Sequence, residues 1–492
     1  MNRQHYPLLL LLGASFLLSL AYCPPFQLVV DDKEIFSYAG MAIAKGLVPY
    51  KDFFDHKPPV IFFINFAGYV LGGGSPWGLW IINTGLALGG TWWFFKCCRR
   101  YRVALPWLLP LLFNLLIRDN LISQGINMTR EFTAFFTLFF FCVLMGRSRH
   151  RYFLLGLLST LTFFTQQDQL IPQLPLLIYA LLAADEVPTG GRLLRLSAGA
   201  LTILIPLLGF FAFHHALSHF WEDAFKFNFT TYITAHKSLG DHFRTIKHVL
   251  DDGNYELPFM VAVVLGITAL FGQNSRKGLV IAAMAALLLT LIPEFMGGRL
   301  DIEGQPSELV YYFLPLSTGI CIVLFTVFAF TEDRILSGRL AQAPYAALLC
   351  CSLLYTALQH GTHLVRRDQD YVIQSPELAY LERQNVTDHQ LYVFCDNPYI
   401  YCYNHFRVLA PSRWIYHHFY AHFPSWDPDQ KILKSIANDL IWRHTTYVIM
   451  DTRLMAQFRH PGNRDWWLAF MHSYYQPVML NDKPSLLWKR KD

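Results

Sequence analysis

The chain has 492 residues, of which 53% are hydrophobic and only 15% charged. A soluble domain carries about 25% charged residues, so this composition argues against a soluble enzyme. The net charge of +5 comes from short scattered clusters rather than a basic stripe, which gives no indication of nucleic-acid binding. Apolar stretches of about 15–20 residues alternate with short polar connectors, and this pattern predicts a polytopic α-helical membrane protein.

The first apolar stretch, residues 6–22, is interpreted as an uncleaved span that ends at Pro24-Pro25. A second run from Val60 breaks at Gly72 and is short for a span, so it is predicted to be an interfacial or re-entrant helix. Further spans are predicted near 77–95, 104–117, 131–146, 152–165, 170–184, 196–213, 257–272, 279–293, 310–330 and 342–358. The prediction is thus of about eleven transmembrane helices, several of them shorter than the ~20-residue norm.

The basic residues predict the orientation of these spans, because cytoplasmic loops are rich in Lys and Arg. Every second loop carries them: Lys96, Arg99, Arg100, Arg102, Arg147, Arg149, Arg151, Arg192, Arg195, Arg276, Lys277, Arg334 and Arg339. The N-terminus is therefore predicted to be cytoplasmic, with the first outer loop, residues 24–76, on the opposite face. We expect a multi-pass protein of the inner (plasma) membrane, with a membrane domain, 1–358, and a periplasmic or extracellular C-terminal domain, 359–492.

The C-terminal domain is predicted to be a small α/β unit. Leu391–Phe394 and Tyr447–Met450 have the character of short buried strands. A helix is predicted from Asp427 to Trp442, with an Asp near its start and apolar residues along one face. Cys395 and Cys402 fall in this polar region, where a disulfide between them is one alternative in an oxidising compartment.

The first outer loop opens with three carboxylates, Asp31, Asp32 and Glu34. The following residues, Ile35–Leu47, have the spacing of an amphipathic helix lying on the membrane, with Asp32 near its N-terminus, where the helix dipole favours an ionised carboxylate. Such a carboxylate can accept a proton from a hydroxyl or bind a divalent cation. The alternative is a solvated acidic loop that caps the helix.

The same loop ends in Lys57, directly before Pro58-Pro59. The two prolines make a rigid, extended entry into the next apolar run and hold the lysine near the level of the lipid headgroups. An ammonium group at that level is well placed to hold a lipid phosphate. The alternative is an interfacial lysine whose side chain merely reaches for water.

These residues together resemble a known signature. Asp32 through Tyr38, followed by Gly46-x-x-Pro49-Tyr50-x-Asp52-Phe53-Phe54-Asp55-His56-Lys57-Pro58-Pro59, resembles the first loop of bacterial membrane glycosyltransferases. These enzymes are C-type (GT-C, family 39-like) relatives of the dolichyl-phosphate-mannose protein mannosyltransferases and of the lipid A aminoarabinose transferase. In this chain Lys33 stands where that family usually has Glu.

Two later segments add to the resemblance. Arg130-Glu131 resembles the acidic position of the family's second outer loop, and Gly297-Gly298-Arg299 with Tyr311-Tyr312-Phe313-Leu314-Pro315 resembles a later region in which His is common at one Tyr position. Glu131 has the alternative of pairing with Arg130 or Arg118. Arg299 has the alternative of pairing with Glu294, Asp301 or Glu303.

The resemblance implies a glycosyltransferase that takes a hexose or pentose from a polyprenyl-phosphate donor, on the non-cytoplasmic face and with inversion. Asp32 is the implied base, with Asp31 and Glu34 as further acidic candidates, and Lys57 and Arg299 are implied to hold the donor phosphate. The implied substrate-binding residues are Tyr50, Asp52, Asp55, His56, Glu131, Tyr311 and Tyr312. The acceptor is a protein, lipid or glycan. No metal ligand is assigned, and a divalent cation at the first-loop carboxylates stays open.

The competing hypothesis is a transporter or lipid-linked sugar flippase without transferase activity. Such a protein is expected to show repeated halves and charged residues in the middle of its spans. The sequence shows no internal repeat, and its charges crowd in the predicted outer loops. We therefore favour the transferase.

Overall fold

The architecture comes from a computed structural model. It describes residues 6–26, 31–103, 105–118, 126–184, 186–231, 239–252, 255–272, 276–292, 310–330, scattered positions between 347 and 358, 372–395, 397–415, 417, 419–422 and 426–491. Arg299 and most of the span predicted at 342–358 lie outside the described residues, as do the side chains of Asp31 and Tyr311.

The described residues of the predicted membrane domain are built from helices. In chain order these are α1 Tyr6–Leu20, α2 Asp31–Ala44, α3 Val60–Leu71, α4 Trp77–Arg100, α5 Leu108–Ile117, α6 Thr129–Met145, α7 Arg151–Thr165, α8 Leu174–Leu182, α9 Thr189–Phe213, α10 Leu217–Trp221, α11 Phe227–Thr230, α12 Leu239–Asp252, α13 Glu256–Phe271, α14 Lys277–Leu289 and α15 Leu316–Phe330. Short 3₁₀ turns lie at Pro24–Phe26, Gln167–Gln173 and Val310–Phe313, and a π-helical turn at Glu222–Lys226.

Most predicted spans coincide with one of these helices to within a few residues. Among the described residues, one helix, Thr189–Phe213, is long and apolar enough to cross a bilayer, and seven shorter apolar helices have 10–17 residues. The span predicted at 170–184 begins instead as the 3₁₀ turn Gln167–Gln173, which contains Pro172. Proline lacks the N–H that an α-helical turn needs, which accounts for the late start of α8. The count of eleven spans stays a prediction.

Close backbone contacts and a polar network hold the bundle together. A Cβ on Gly156 of α7 would lie 1.9 Å from the carbonyl oxygen of Leu196 in α9, so only glycine permits this approach. Elsewhere the Ser15 hydroxyl donates to Asn114 Oδ1 at 2.7 Å, and Asn114 Nδ2 donates to Thr91 Oγ1 at 2.7 Å. These bonds join α1, α5 and α4 through groups that would be costly to bury unpaired.

Helix α2 is covered on two sides, whereas the amphipathic spacing indicated one buried face; its position on the membrane stays a prediction. Six of its apolar residues, Ile35, Phe36, Tyr38, Ala39, Met41 and Ala42, are at most 1% exposed. One side packs on α3, where a Cβ on Gly40 would be 2.5 Å from the carbonyl carbon of Asn65. Another side meets the C-terminal domain, since the rings of Tyr38 and Tyr403 are 5.3 Å apart and Ala410 N–H donates to the Tyr38 hydroxyl at 3.1 Å. Amphipathic spacing alone did not reveal this second cover.

The C-terminal domain contains one mixed four-stranded sheet. Its elements are α16 Pro376–Leu381, β1 Leu391–Phe394, α17 Tyr401–Phe406, α18 Phe419–His422, α19 Lys431–Trp442, β2 Tyr447–Met450, α20 Thr452–Ala456, α21 Pro461–Tyr474, β3 Tyr475–Leu480 and β4 Lys483–Arg490. The strand order is β1-β2-β4-β3, with β1 parallel to β2 and the other two pairs antiparallel. Residues 397–400 form a 3₁₀ turn.

The two strands predicted in this domain have the bounds observed for β1 and β2. The predicted helix begins later, at Lys431, and the Asp427 carboxylate accepts hydrogen bonds from Ile432 N–H at 2.9 Å and Leu433 N–H at 3.0 Å. The hairpin β3–β4 was not predicted, because its half-exposed strands lack a continuous apolar run. Cys395 and Cys402 are both buried, and no disulfide joins them.

Candidate active site

Asp32 and Lys57, the two charged residues singled out in the first loop, form a largely buried ion pair. Asp32 lies in the first turn of α2, and Lys57 directly precedes the prolines that lead into α3. Lys57 Nζ is 3.6 Å from Asp32 Oδ2, with side-chain exposures of 7% and 14%. The packing of α2 against α3 thus joins the two residues that the sequence singles out as candidate base and phosphate holder.

The loop backbone around Lys57 is held by residues that were predicted to bind substrate. Asp55 Oδ1 accepts the Lys57 N–H at 2.8 Å, and the Tyr50 hydroxyl donates to the Lys57 carbonyl at 2.7 Å. Asp52 Oδ2 accepts the N–H of Val48 at 2.8 Å and closes the turn before them. Tyr50 and Asp55 are fully buried, so their observed contacts position Lys57.

His56 extends this arrangement on the other side of Lys57. Its Nε2 is 3.3 Å from Lys57 Nζ, and its Nδ1 is 3.8 Å from Asp55 Oδ1. An ammonium group can only donate, so Nε2 accepts, and the proton of a neutral His56 lies on Nδ1, toward Asp55. The ring packs against Phe227 and Phe419, at 5.7 and 5.6 Å between centroids, and these two rings stack on each other at 5.4 Å.

Glu34 contacts the C-terminal domain. Asn404 Nδ2 donates to Glu34 Oε2 at 2.8 Å and to the Glu34 carbonyl at 2.9 Å. Glu34 and the neighbouring Lys33 are 5% and 6% exposed and line a cavity of about 310 Å³. The cavity is also lined by Ser37, Met41, Asn65, Tyr69, the turn Gly74–Pro76, Tyr401, Asn404, His405 and Arg407. The residue that departs from the family pattern, Lys33, therefore lies at a cavity shared by the two domains.

Glu131 forms a buried ion pair with Arg118, one of the two partners considered for it. Arg118 Nη1 donates to Glu131 Oε1 at 2.6 Å, and each side chain is 1% exposed. Glu131 Oε2 accepts the N–H of Asn127 at 3.0 Å, and Arg118 also donates to Asn83 Oδ1. Asn127 Nδ2 in turn donates to the Lys33 carbonyl at 3.3 Å. The pair therefore supports the first turn of α2.

Arg130 and Tyr312 come together at the same end of the bundle. The guanidinium carbon lies 3.7 Å from the centroid of the Tyr312 ring, and Nη1 donates to the Tyr312 carbonyl at 3.2 Å. Arg130 Nη2 also pairs with Asp168 Oδ2 at 2.9 Å. Sequence reasoning missed Asp168, although its signal was the polar break Gln166–Gln169 between two apolar runs.

A further ion pair, Asp223 with Arg413, joins the loop after α10 to the C-terminal domain. Arg413 Nη2 is 2.6 Å from Asp223 Oδ2, and the Arg413 carbonyl accepts the N–H of Phe54 at 2.8 Å. Burial raises the pKa of Asp223 to about 7, although the Arg413 guanidinium acts to lower it. Nothing local in the sequence marks this pair. Together with the bond from Phe54, it connects the turn after α10, the first loop and the C-terminal domain.

Metal binding at this site stays untested. In the described part of the chain, no group of three or more His, Cys, Asp or Glu side chains is arranged to hold a metal ion. The Asp31 side chain lies outside that part. A divalent cation at the first-loop carboxylates therefore stays a prediction.

Comparison with known proteins gives matches among solved structures. No family model matches the chain, and no curated protein matches it. The structure of ArnT from Cupriavidus metallidurans bound to undecaprenyl phosphate aligns with a TM-score of 0.57 at 13% identity, over 82% of this chain and 85% of that one. The apo structure of the same protein aligns with a TM-score of 0.58 at 14% identity, over 98% and 97%.

The chain thus has the polytopic membrane fold of the C-type glycosyltransferases. Within that class its fold is similar to that of ArnT over nearly the whole length of both chains. The resemblance that the first loop indicates is confirmed at the level of the fold. At 13–14% identity the similarity to ArnT shows the fold alone. The roles of individual residues rest on the contacts described above.

Proposed function

We propose that this protein is a glycosyltransferase that moves a sugar from a polyprenyl-phosphate donor to an acceptor hydroxyl on the non-cytoplasmic side of the membrane. The observation that carries the proposal is the buried contact of 3.6 Å between Asp32 and Lys57. A carboxylate beside a phosphate-holding cation is what such a transfer needs. The donor class is supported by the similar structure of ArnT bound to undecaprenyl phosphate.

In the proposed reaction, Asp32 accepts the proton of the acceptor hydroxyl as its oxygen attacks the anomeric carbon of the donor sugar. The bond from that carbon to the phosphate oxygen breaks, and its electron pair leaves with the lipid phosphate. Lys57 and Arg299 stabilise the charge on the departing phosphate, the arginine in a bidentate manner. Attack opposite the leaving group inverts the anomeric carbon.

The length of the Asp32–Lys57 contact is compatible with this exchange of partners. A charge-assisted N–H···O bond is about 2.7–2.9 Å long, whereas this contact measures 3.6 Å. The Lys57 ammonium is therefore held near Asp32 without being committed to it by a hydrogen bond. In the proposed reaction an arriving phosphate competes with Asp32 for the Lys57 ammonium.

The acceptor is proposed to enter through the cavity at Lys33 and Glu34. These two residues follow Asp32 directly in α2, and Asn404 and Arg407 of the C-terminal domain also line the cavity. In this proposal the C-terminal domain takes a direct part in acceptor choice. The transfer test identifies the acceptor class, because only a true acceptor, whether protein, lipid or glycan, receives the labelled sugar.

The test uses membranes that contain the full chain, a labelled polyprenyl-phosphate sugar and each class of acceptor. We expect Asp32→Asn and Lys57→Ala each to reduce transfer by roughly 100-fold or more, the range for loss of a base or of a charge-stabilising group. The matched control is Lys45→Ala, which removes an exposed Lys–Asp pair, Lys45 with Asp388 at 2.6 Å, that also joins the first loop to the C-terminal domain. The control should transfer sugar at nearly the normal rate.

Two results would contradict the proposal. Full transfer by both site variants would show that Asp32 and Lys57 do not carry the reaction. Movement of the lipid-linked sugar across the membrane with no transfer to any acceptor would favour the flippase hypothesis instead.

A further inference from the structure

The segment between α10 and α12 contacts the end of the first loop beside Lys57. Its π-helical turn, Glu222–Lys226, leads directly into α11. Asn228 of α11 donates through Nδ2 to the His56 carbonyl at 2.8 Å and to the Ala224 carbonyl at 2.8 Å. A carbonyl oxygen can only accept, so the two hydrogens of the amide face these oxygens. Asn228 and His56 lie 172 positions apart, and their bond therefore depends on how the two segments pack.

The segment that carries Asn228 is held by contacts on both sides of it. The Ala224 carbonyl also accepts a hydrogen bond from Gln167 Nε2 in the bundle, at 2.8 Å. Phe227 stacks on Phe419 of the C-terminal domain, with 5.4 Å between ring centroids and 27° between the ring planes. The side-chain amide of Asn228 is thus presented to the first loop from a segment that packs against both domains.

The backbone on either side of Lys57 is bonded at three points. Asn228 donates to the carbonyl of the peptide group before Lys57, which belongs to His56. Asp55 Oδ1 accepts the N–H of the same peptide group at 2.8 Å, and the Tyr50 hydroxyl donates to the carbonyl of the next one at 2.7 Å. A peptide group is planar, so fixing both planes fixes the direction of the Lys57 Cα–Cβ bond. Tyr50 and Asp55 belong to the first loop, whereas Asn228 anchors it from outside.

The ammonium group of Lys57 is held less tightly than its backbone. Nζ lies 3.6 Å from Asp32 Oδ2 and 3.3 Å from His56 Nε2. The first distance exceeds the length of a charge-assisted hydrogen bond, about 2.7–2.9 Å. The lysine side chain is a flexible four-carbon stem. Where its ammonium group can meet a phosphate therefore depends on the backbone from which the stem extends.

We propose that Asn228 is a positioning residue for Lys57. The inference rests on the proposed function, in which Lys57 holds the phosphate of the donor. Without the Asn228 amide, the His56 carbonyl loses its anchor outside the loop and the peptide plane before Lys57 gains freedom to rotate. The net contribution of one such hydrogen bond corresponds to roughly 2- to 10-fold in an equilibrium constant. Asn228 acts through Lys57 alone, so its effect should vanish when Lys57 is replaced.

The experiment measures the dissociation constant of undecaprenyl phosphate for the purified full chain, from the ligand-dependent midpoint of thermal unfolding. In Asn228→Ser the hydroxyl can still donate to the Ala224 carbonyl, as the Thr230 hydroxyl does to the Lys226 carbonyl at 2.9 Å, but it is too short to reach His56. The variant should fold and bind undecaprenyl phosphate roughly 2- to 10-fold more weakly. The matched control is Thr230→Ala, which removes an exposed hydrogen bond of the same helix and should bind normally.

A double variant separates positioning from a general structural role. Asn228→Ser combined with Lys57→Ala should bind no more weakly than Lys57→Ala alone, because the two residues act as a unit. In the transfer assay with membranes, Asn228→Ser should raise the KM for the donor and leave the KM for the acceptor unchanged. This second readout also serves if the purified variant is unstable in detergent.

Normal binding by Asn228→Ser, an equal loss in Thr230→Ala, or a further loss in the double variant would each overturn the inference. If Lys57→Ala loses binding and Asn228→Ser does not, the proposed role of Lys57 stands and only the inference fails. If Lys57→Ala binds as tightly as the unaltered chain, or the unaltered chain does not bind undecaprenyl phosphate, both fail together.

Discussion

Replacing Glu131 by Gln tests whether this residue binds substrate or supports the site. The change removes one charge of a pair in which both side chains are 1% exposed and Arg118 Nη1 lies 2.6 Å from Glu131 Oε1. Removing one partner of a buried ion pair leaves the other charge uncompensated and costs about 3–5 kcal/mol. The neutral amide keeps the volume and an acceptor oxygen, so most of the loss comes from the unpaired Arg118 charge. We therefore expect a clear fall in thermal stability.

The assay is the midpoint of thermal unfolding of the purified protein, with sugar transfer measured at a temperature where each variant is folded. Removing both charges, in Glu131→Gln with Arg118→Gln, should cost less than the single change, because no buried charge is left alone. Transfer by Glu131→Gln should fall only in part, through looser support of α2. If Glu131→Gln left the unfolding midpoint unchanged and raised the KM for one substrate, the supporting role would be refuted. Glu131 would then be a substrate-binding residue.

Three further predictions concern packing, pH and capping. Gly40→Ala should lower both the unfolding midpoint and sugar transfer, because the new Cβ would lie 2.5 Å from the backbone of α3. The control Gly85→Ala has nothing within 4 Å of its Cβ and should leave both unchanged. The folded-state pKa of Asp223, about 7, is above its ordinary value, so the stability of the protein should fall as the pH rises from about 4 to about 7. Asp223→Asn should make this pH dependence weaker, measured by the midpoint of thermal unfolding across the same range. Asp427→Ala removes the acceptor of the Ile432 and Leu433 N–H groups and should destabilise the C-terminal domain by about 1–2 kcal/mol, measured by thermal unfolding. Asp427→Asn keeps one acceptor oxygen and should lose less stability than Asp427→Ala.

The Lys33 position shows what the departure from the family pattern means in three dimensions. In sequence it lies between two acidic residues and leaves the choice of base less certain. In the structure Asp32 is the residue within 3.6 Å of Lys57, whereas Lys33 and Glu34 line the cavity shared with the C-terminal domain. Asp32 is therefore the candidate base whose carboxylate is observed near the Lys57 ammonium, and the departure from the family pattern lies at the cavity proposed for the acceptor.

Local sequence patterns were sufficient to predict the helices and strands that are buried on one side or on all sides. Apolar runs located α6, α7 and the strands β1 and β2 to within a few residues, because burial in lipid or in a sheet requires an uninterrupted apolar stretch. The same rule failed for the half-exposed β3–β4 hairpin. For α2, the apolar spacing indicates one buried face and cannot indicate that residues of the C-terminal domain cover a second one.

By itself, the sequence determined the membrane class, the helical character of the chain and the two charged segments of the first loop. Only the tertiary structure decided which charges meet: Asp32 with Lys57, Glu131 with Arg118, and Asp223 with Arg413. The last pair joins residues far apart in the chain. Periodicity records how each segment is buried against its surroundings. The partner of a buried charge depends on which segments pack together, and that is a property of the folded chain.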